Sequence, residues 1–166
     1  MTISLTTDTP SAAMPDSLLR RLHVDEERRV MPEHLQRLHW SAERLKAERR
    51  RRLRELLRVA KAQSPWHRER LEGIDPERLE EGDLSQLPTM TKSDVMSNFD
   101  EIVTDRRLSL ERVESHLAGL GAEPSYLLDG YQAVVSGGSS GVRGVFVYDW
   151  DAWAECFAAG YRYLFR

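Results

Sequence analysis

The sequence predicts a helix-rich α/β fold, with helices over most of residues 16–124 and the first strands of an α/β region over 125–166. Two observations predict it. From Glu33 to about Gln63 the residues favour helix throughout, and Leu35, Leu38, Ala42, Leu45, Leu53, Leu56, Leu57 and Ala60 recur at the three- and four-residue spacing of one helical face. Later, Ala133-Val134-Val135 and Val145-Phe146-Val147-Tyr148 are short β-type runs on either side of a nine-residue glycine-serine loop, 136–144.

Composition narrows the class. A chain of 166 residues can bury one sizeable core. With 40% hydrophobic and 31% charged residues it has neither a disordered nor a membrane composition. No apolar run approaches the roughly 18 residues of a membrane span. The N-terminus has no charged start followed by an apolar centre, so a cytoplasmic location is expected. The single cysteine, Cys156, fits a reducing compartment, and its apolar helical neighbours predict a packed thiol. The net charge of −3 hides an asymmetry: residues 20–70 carry 16 Lys and Arg against 8 Asp and Glu, and residues 71–166 carry 8 against 17. The two parts are expected to attract each other.

Residues 1–15 are rich in Thr, Ser, Ala and Pro without apolar period, and read as a disordered leader. Asp16 or Ser17 can cap a helix to Val30, and Pro32 favours a new helical start, since its missing NH is one the first turn leaves unpaired. The following helix would be a rod of roughly 45 Å to Gln63. Its middle carries Arg49, Arg50, Arg51 and Arg52, with Arg54 and Arg58 beyond. Glu43, Glu48 and Glu55 lie three or four residues away and no aromatic residue interleaves the run, so a solvated or acid-paired face is expected rather than a nucleic-acid surface.

Ser64-Pro65 ends that helix, and Trp66 to Glu72 forms a short one stopped by Gly73, with Trp66 and Leu71 as core anchors. Residues 74–90 read as an acidic connector with a brief helical turn. Thr91 then caps a helix from Lys92 to Phe99 with Asp94 in its third position, which leaves Lys92 exposed in the first turn. Ser109 caps the helix to Leu117, and Gly119 ends it. Tyr126-Leu127-Leu128 and Tyr131 to Val135 flank Asp129-Gly130, a two-residue hairpin signal, so three short strands are expected. Asp149 caps a last helix on which Trp153, Cys156, Phe157, Gly160, Tyr161 and Leu164 share a face. None of the five histidines has a spaced metal-ligand partner, so no metal site is expected, and no catalytic residue is assigned.

The loop is where chemistry concentrates. Gly137, Gly138, Gly141 and Gly144 allow positive φ and close approach of a ligand, while Ser136, Ser139 and Ser140 add hydroxyls beside exposed NH groups. Such a loop suits phosphate oxygens, with Arg143 as the cation at hand. Gly137-Gly138-Ser139-Ser140-Gly141 also satisfies the G-x-S-x-G pattern of a hydrolase nucleophile elbow, but that elbow needs a helix after the serine and a later histidine; here a strand follows and the last histidine is His116. The spacings of a Walker loop and of a dinucleotide fingerprint are not present. A plain hairpin connection is the bland alternative, and nine residues is long for one.

Ser136-Gly137-Gly138-Ser139-Ser140-Gly141-Val142-Arg143-Gly144, running into VFVYD, resembles the ATP-phosphate loop of the adenylate-forming ligases, particularly the phenylacetate-CoA ligase-like branch. Ser64-Pro65-Trp66-His67-Arg68-Glu69-Arg70-Leu71 and Leu87-Pro88-Thr89-Met90-Thr91-Lys92-Ser93-Asp94 are similar to the same branch, so the likeness runs from about residue 50 onward. It implies that 125–166 begins an AMP-binding domain, that ATP, Mg²⁺, CoA and a small carboxylic acid are the reactants and cofactors, and that Ser136, Gly137, Gly138, Ser139, Ser140, Gly141, Arg143 and Gly144 hold the ATP phosphates. The loop lysine of many members has no counterpart; Arg143 stands near its place. The family's adenine-binding segment, ribose-binding aspartate and C-terminal lysine would follow Arg166, so the chain is expected to be the front portion of such an enzyme, inactive alone, with the remainder packing on 149–166. A ligase remnant acting as a helical interaction protein is the alternative, and a serine hydrolase using Ser139 the third.

Overall fold

The computed structural model describes residues 14–122, 125–137 and 141–164, apart from the side chain of Glu81. Most of the leader, and Gly138, Ser139 and Ser140 of the loop, lie outside the described residues. The architecture is helix-rich with a small two-stranded antiparallel sheet. Helices α1 (Asp16–Gln36), α2 (Ala42–Gln63), α3 (Pro65–Arg70), α4 (Lys92–Ser97), α5 (Phe99–Ile102) and α6 (Leu110–Ala118) precede strands β1 (Tyr131–Val135) and β2 (Val145–Asp149), and helix α7 (Trp150–Leu164) follows. Among the described residues, no helix is long and apolar enough to cross a membrane.

Helix α1 runs straight through Pro32 and does not restart there. A proline inside a helix removes one hydrogen bond and crowds the preceding turn. Packing outweighs that here, because α1 lies along α7 and buries Leu19, His23 and His34. Small residues make the approach possible: Ala154 and Ala158 of α7 are fully buried.

The 45 Å rod is not formed. After α1 the chain makes a 3₁₀ turn, Arg37–His39, and becomes extended at Trp40 and Ser41. Ser41 then caps α2, its hydroxyl accepting the Arg44 NH at 3.2 Å. The Trp40 ring lies beneath the Arg44 guanidinium, 3.8 Å from its centroid, which anchors the break. The apolar stripe is divided accordingly. Leu57 is buried with Leu71 and Leu79, and Leu53 and Ala60 pack on them, whereas Leu56 is 64% exposed.

Ser64 is fully buried and serves both sides of the α2–α3 junction. Its hydroxyl accepts the His67 NH and donates to the Glu101 carbonyl at 3.0 Å, tying α3 to α5. Leu71 is the core anchor expected, while Trp66 is half-buried under the Arg70 guanidinium. The connector contains a 3₁₀ turn, Glu81–Gln86. Ser109 caps α6 and Gly119 closes it, as the sequence indicates.

The main core lies between α5, α6 and the sheet: Phe99, Leu108, Val113, Leu127, Ala133 and Val145. Strands β1 and β2 pair in the register Tyr131↔Asp149 to Val135↔Val145. The third expected strand is reduced to a single bridge, Leu127 to Tyr131, because the turn takes three residues. Leu128 (φ 51°) and Asp129 (φ 59°) carry the left-handed conformation in place of the Asp129-Gly130 pair. Asp149 caps α7 as expected, accepting the Ala152 NH at 2.8 Å. The shared α7 face exists but stays open to solvent. Cys156 on it is exposed, which corrects the packed thiol, because the small-residue face of the helix is the one turned to α1.

The α1–α7 seam is pH-sensitive by construction. His23 is buried, stacks on Trp150 at 5.5 Å between ring centroids, and shares a 3.3 Å hydrogen bond with the Tyr126 hydroxyl. Burial holds its pKa below the ordinary 6.5, and the same cause lowers His34 and His67. The unfolded chain therefore takes up protons first as pH falls. Stability is full above about pH 6.5 and declines below it until the folded histidines titrate. Urea unfolding at neutral and mildly acidic pH is expected to show this loss, with a smaller pH slope in His23→Gln.

Candidate functional site

Strands β1 and β2 end together at Val135 and Val145, and the glycine-serine loop leaves from that paired end. Ser136 and Gly144 close its base. The Ser136 NH donates to the Gly144 carbonyl at 2.9 Å, and the Gly144 NH donates to the Ser136 hydroxyl at 2.8 Å. These two NH groups are thereby used in fastening the loop. Among the described residues of the loop, the NH groups of Gly137, Gly141 and Arg143 take no part in that fastening. Gly141 has φ 85°, a conformation that glycine alone adopts without strain. Arg143 is exposed at the exit of the loop.

Helix α4 lies across the loop base, which the sequence does not reveal. The Val145 NH donates to the Met96 sulfur at 3.2 Å. A Cβ on Gly144 would stand 2.9 Å from Phe146 Cε2 and 3.2 Å from Lys92 Cδ, so a side chain here would have to displace one of these two neighbours. Lys92 is half-buried, its stem against the loop, which corrects the exposed position expected of a first-turn lysine. The start of α4 is fixed by a reciprocal capping box: the Thr91 hydroxyl accepts the Asp94 NH at 3.1 Å, and Asp94 accepts the Thr91 NH at 2.7 Å. Those bonds hold the Asp94 carboxyl below its usual range, the Thr91 backbone NH first. Thr91→Ala is expected to cost about 0.5–2 kcal/mol. It should also loosen Lys92, which amide exchange through α4 and the Gly144 NH would register.

No family model, curated protein or solved structure matches the chain. The Ser136 hydroxyl, Lys92 and Arg143, among the described residues, stand at or beside the loop base, polar groups of the kinds that bind phosphate oxygens. Among the described residues, no group of three or more His, Cys, Asp or Glu is placed to hold a metal ion.

The basic half has its own partners. Arg50 and Arg54 pair with Glu80 at 3.0 Å, Arg58 with Glu77 at 2.6 Å, Arg51 with Glu48 and Glu55, and Arg52 with Glu48 and Glu155. Hydrogen bonds from Arg51 and then Arg52 hold the Glu48 carboxyl down at about 2. The expected attraction between the two parts of the chain is thus realised in specific pairs. Such exposed pairs contribute about 0–1 kcal/mol each, so they set orientation more than stability.

Proposed function

We propose that the chain supplies the ATP-phosphate loop of an adenylate-forming acid–CoA ligase of the phenylacetate-CoA ligase-like kind. The observation that carries this reading is the Lys92 stem lying beside Gly144, 3.2 Å from where a Cβ on that glycine would stand. Residues 87–94 and 136–144 are two of the stretches that resemble that family, and the fold brings them together. In the complete enzyme a carboxylate oxygen attacks the ATP α-phosphorus and pyrophosphate leaves. The CoA thiol then takes the acyl group from the adenylate, and AMP leaves. The loop NH groups and hydroxyls, with Lys92 and Arg143, would hold the β- and γ-phosphates in line and offset the charge of the departing pyrophosphate. They would accept a phosphate-bound Mg²⁺ alongside.

The test begins with the mass of the native product, read with an antibody against the basic helix. A product several-fold above 19.1 kDa is expected, and it should exchange radiolabelled pyrophosphate into ATP when given its acid. Undiminished exchange in Lys92→Ala would sink the proposed role of that residue and weaken the reading as a whole. A native product of 19.1 kDa would favour the second reading, a non-catalytic interaction protein. The open α7 face supports that alternative, while the ion pairs of α2 already engage several of its arginines. The hydrolase reading has strand β2 where the nucleophile elbow needs a helix.

A further inference from the structure

Away from the loop, the end of α1, the start of α2 and the last turns of α7 enclose a cleft of about 520 Å³, within the size range of small-molecule sites. Four arginines line it, Arg37, Arg49, Arg52 and Arg162, against two glutamates, Glu48 and Glu155. One carboxylate oxygen bears much of the load. Glu155 Oε2 stands 2.7 Å from an Arg52 nitrogen, 3.2 Å from His34 Nε2 and 3.6 Å from an Arg37 nitrogen. Glu33 completes Arg37 from outside at 2.7 Å.

Arg162 follows Glu155 by two helical turns, so both lie on the face of α7 that borders the cleft. Among the described residues no hydrogen bond or ion pair engages its guanidinium. Its charge acts on His34, whose pKa is held below the ordinary value first by burial, with Arg37 and Arg162 adding to the effect against Glu155. The wall is also incompletely satisfied: His34 Nδ1 and Arg37 Nε are buried without hydrogen-bond partners, and both side chains are more than nine-tenths buried. Beside these cations the cleft presents the Trp40 indole and the Tyr163 ring. The Arg162 guanidinium, unengaged among the described residues, beside flat apolar surface defines the complement.

We propose that this cleft binds a small organic anion, a carboxylate or phosphate monoester with a flat apolar body. The negative group sits at Arg162 with Arg37 and Arg52 behind it, and the body lies against Trp40 and Tyr163. Bidentate pairing suits either anion. The site is built from α1, α2 and α7 and does not depend on the phosphate loop.

The probes are benzoate and phenyl phosphate, with inorganic phosphate as the bodiless control, titrated into the 166-residue chain and followed by the NMR signals of the Trp40 indole and the arginine Nε–H groups. Saturable shifts of the Trp40 and Arg162 signals are expected, and whichever organic probe binds more tightly names the anion class. Arg162→Gln should weaken that binding about tenfold or more, while Arg78→Gln, at a distant exposed cation, leaves it unchanged. Because no hydrogen bond or ion pair among the described residues engages Arg162, its variant is expected to stay folded, which the dispersion of its spectrum checks. Absence of saturable shifts up to about 10 mM of either organic probe would overturn the proposal. So would an Arg162→Gln affinity equal to that of Arg78→Gln, or inorganic phosphate binding as tightly as phenyl phosphate.

Discussion

Gly144→Val is expected to abolish ATP–pyrophosphate exchange in the native product that carries this chain. The new side chain would begin 2.9 Å from the Phe146 ring and 3.2 Å from the Lys92 stem, so one of them must move. Either movement disturbs the loop base, where Ser136 and Gly144 hold each other through two hydrogen bonds. Preorganised donors around a developing negative charge each contribute about 10²–10³ in rate, and displacing the base misplaces several together. Gly138→Val, or alanine at both Ser139 and Ser140, should have a comparable effect from within the loop itself. Gly144→Ala is the graded control, since a single methyl asks for a smaller shift of two side chains. Exchange at the native rate in Gly144→Val, with thermal unfolding unchanged, would remove the loop from the chemistry.

Leu19→Ala is expected to lower stability by about 2–5 kcal/mol. Leu19 is only 1% exposed, on the face of α1 that packs against α7. Truncation there leaves a cavity between two helices whose backbones are already held close by Ala154 and Ala158, so little collapse can compensate. For a chain of this size each kcal/mol lowers Tm by roughly 2–4 °C. Leu56→Ala is the matched comparison. It removes the same atoms from a leucine that the helical period places in the apolar stripe of α2, yet Leu56 is 64% exposed and should change stability by less than about 0.5 kcal/mol. Equal losses in the two variants would contradict the packing of α1 on α7.

The α2 stripe shows where local pattern stops informing. Leu56 and Leu57 both continue the three-four period, and only the docking of α3 and the connector selects Leu57 for burial. Caps were more legible. Thr91, Ser109 and Asp149 act as their side-chain chemistry dictates, because a cap is satisfied within three residues of itself. Ser41 is a cap of the same kind that the helical propensity on both sides conceals, and the cation stacked on Trp40 secures the break there. Pro32 errs in the opposite direction, since a long packed seam tolerates one missing hydrogen bond.

At the candidate site the glycine-serine loop and its flanking strands are read directly from residues 133–148, where β-type runs and small residues alternate over a short span. Lys92 is different. It lies 52 residues before Gly144, and nothing local to Thr91-Lys92-Ser93-Asp94 says that α4 will lie across the loop base.

By itself, then, the sequence determined the short-range features: the caps of α4, α6 and α7, the two strands that flank the loop, the loop itself and the acid pairing available within α2. Each is decided by steric and hydrogen-bonding preferences over a few residues. The tertiary structure alone decided which apolar face is buried, that α1 continues through Pro32, that Cys156 faces outward, and that Lys92 meets Gly144. Those outcomes depend on packing between segments distant in the chain, and burial free energy summed over such contacts outweighs a single local preference.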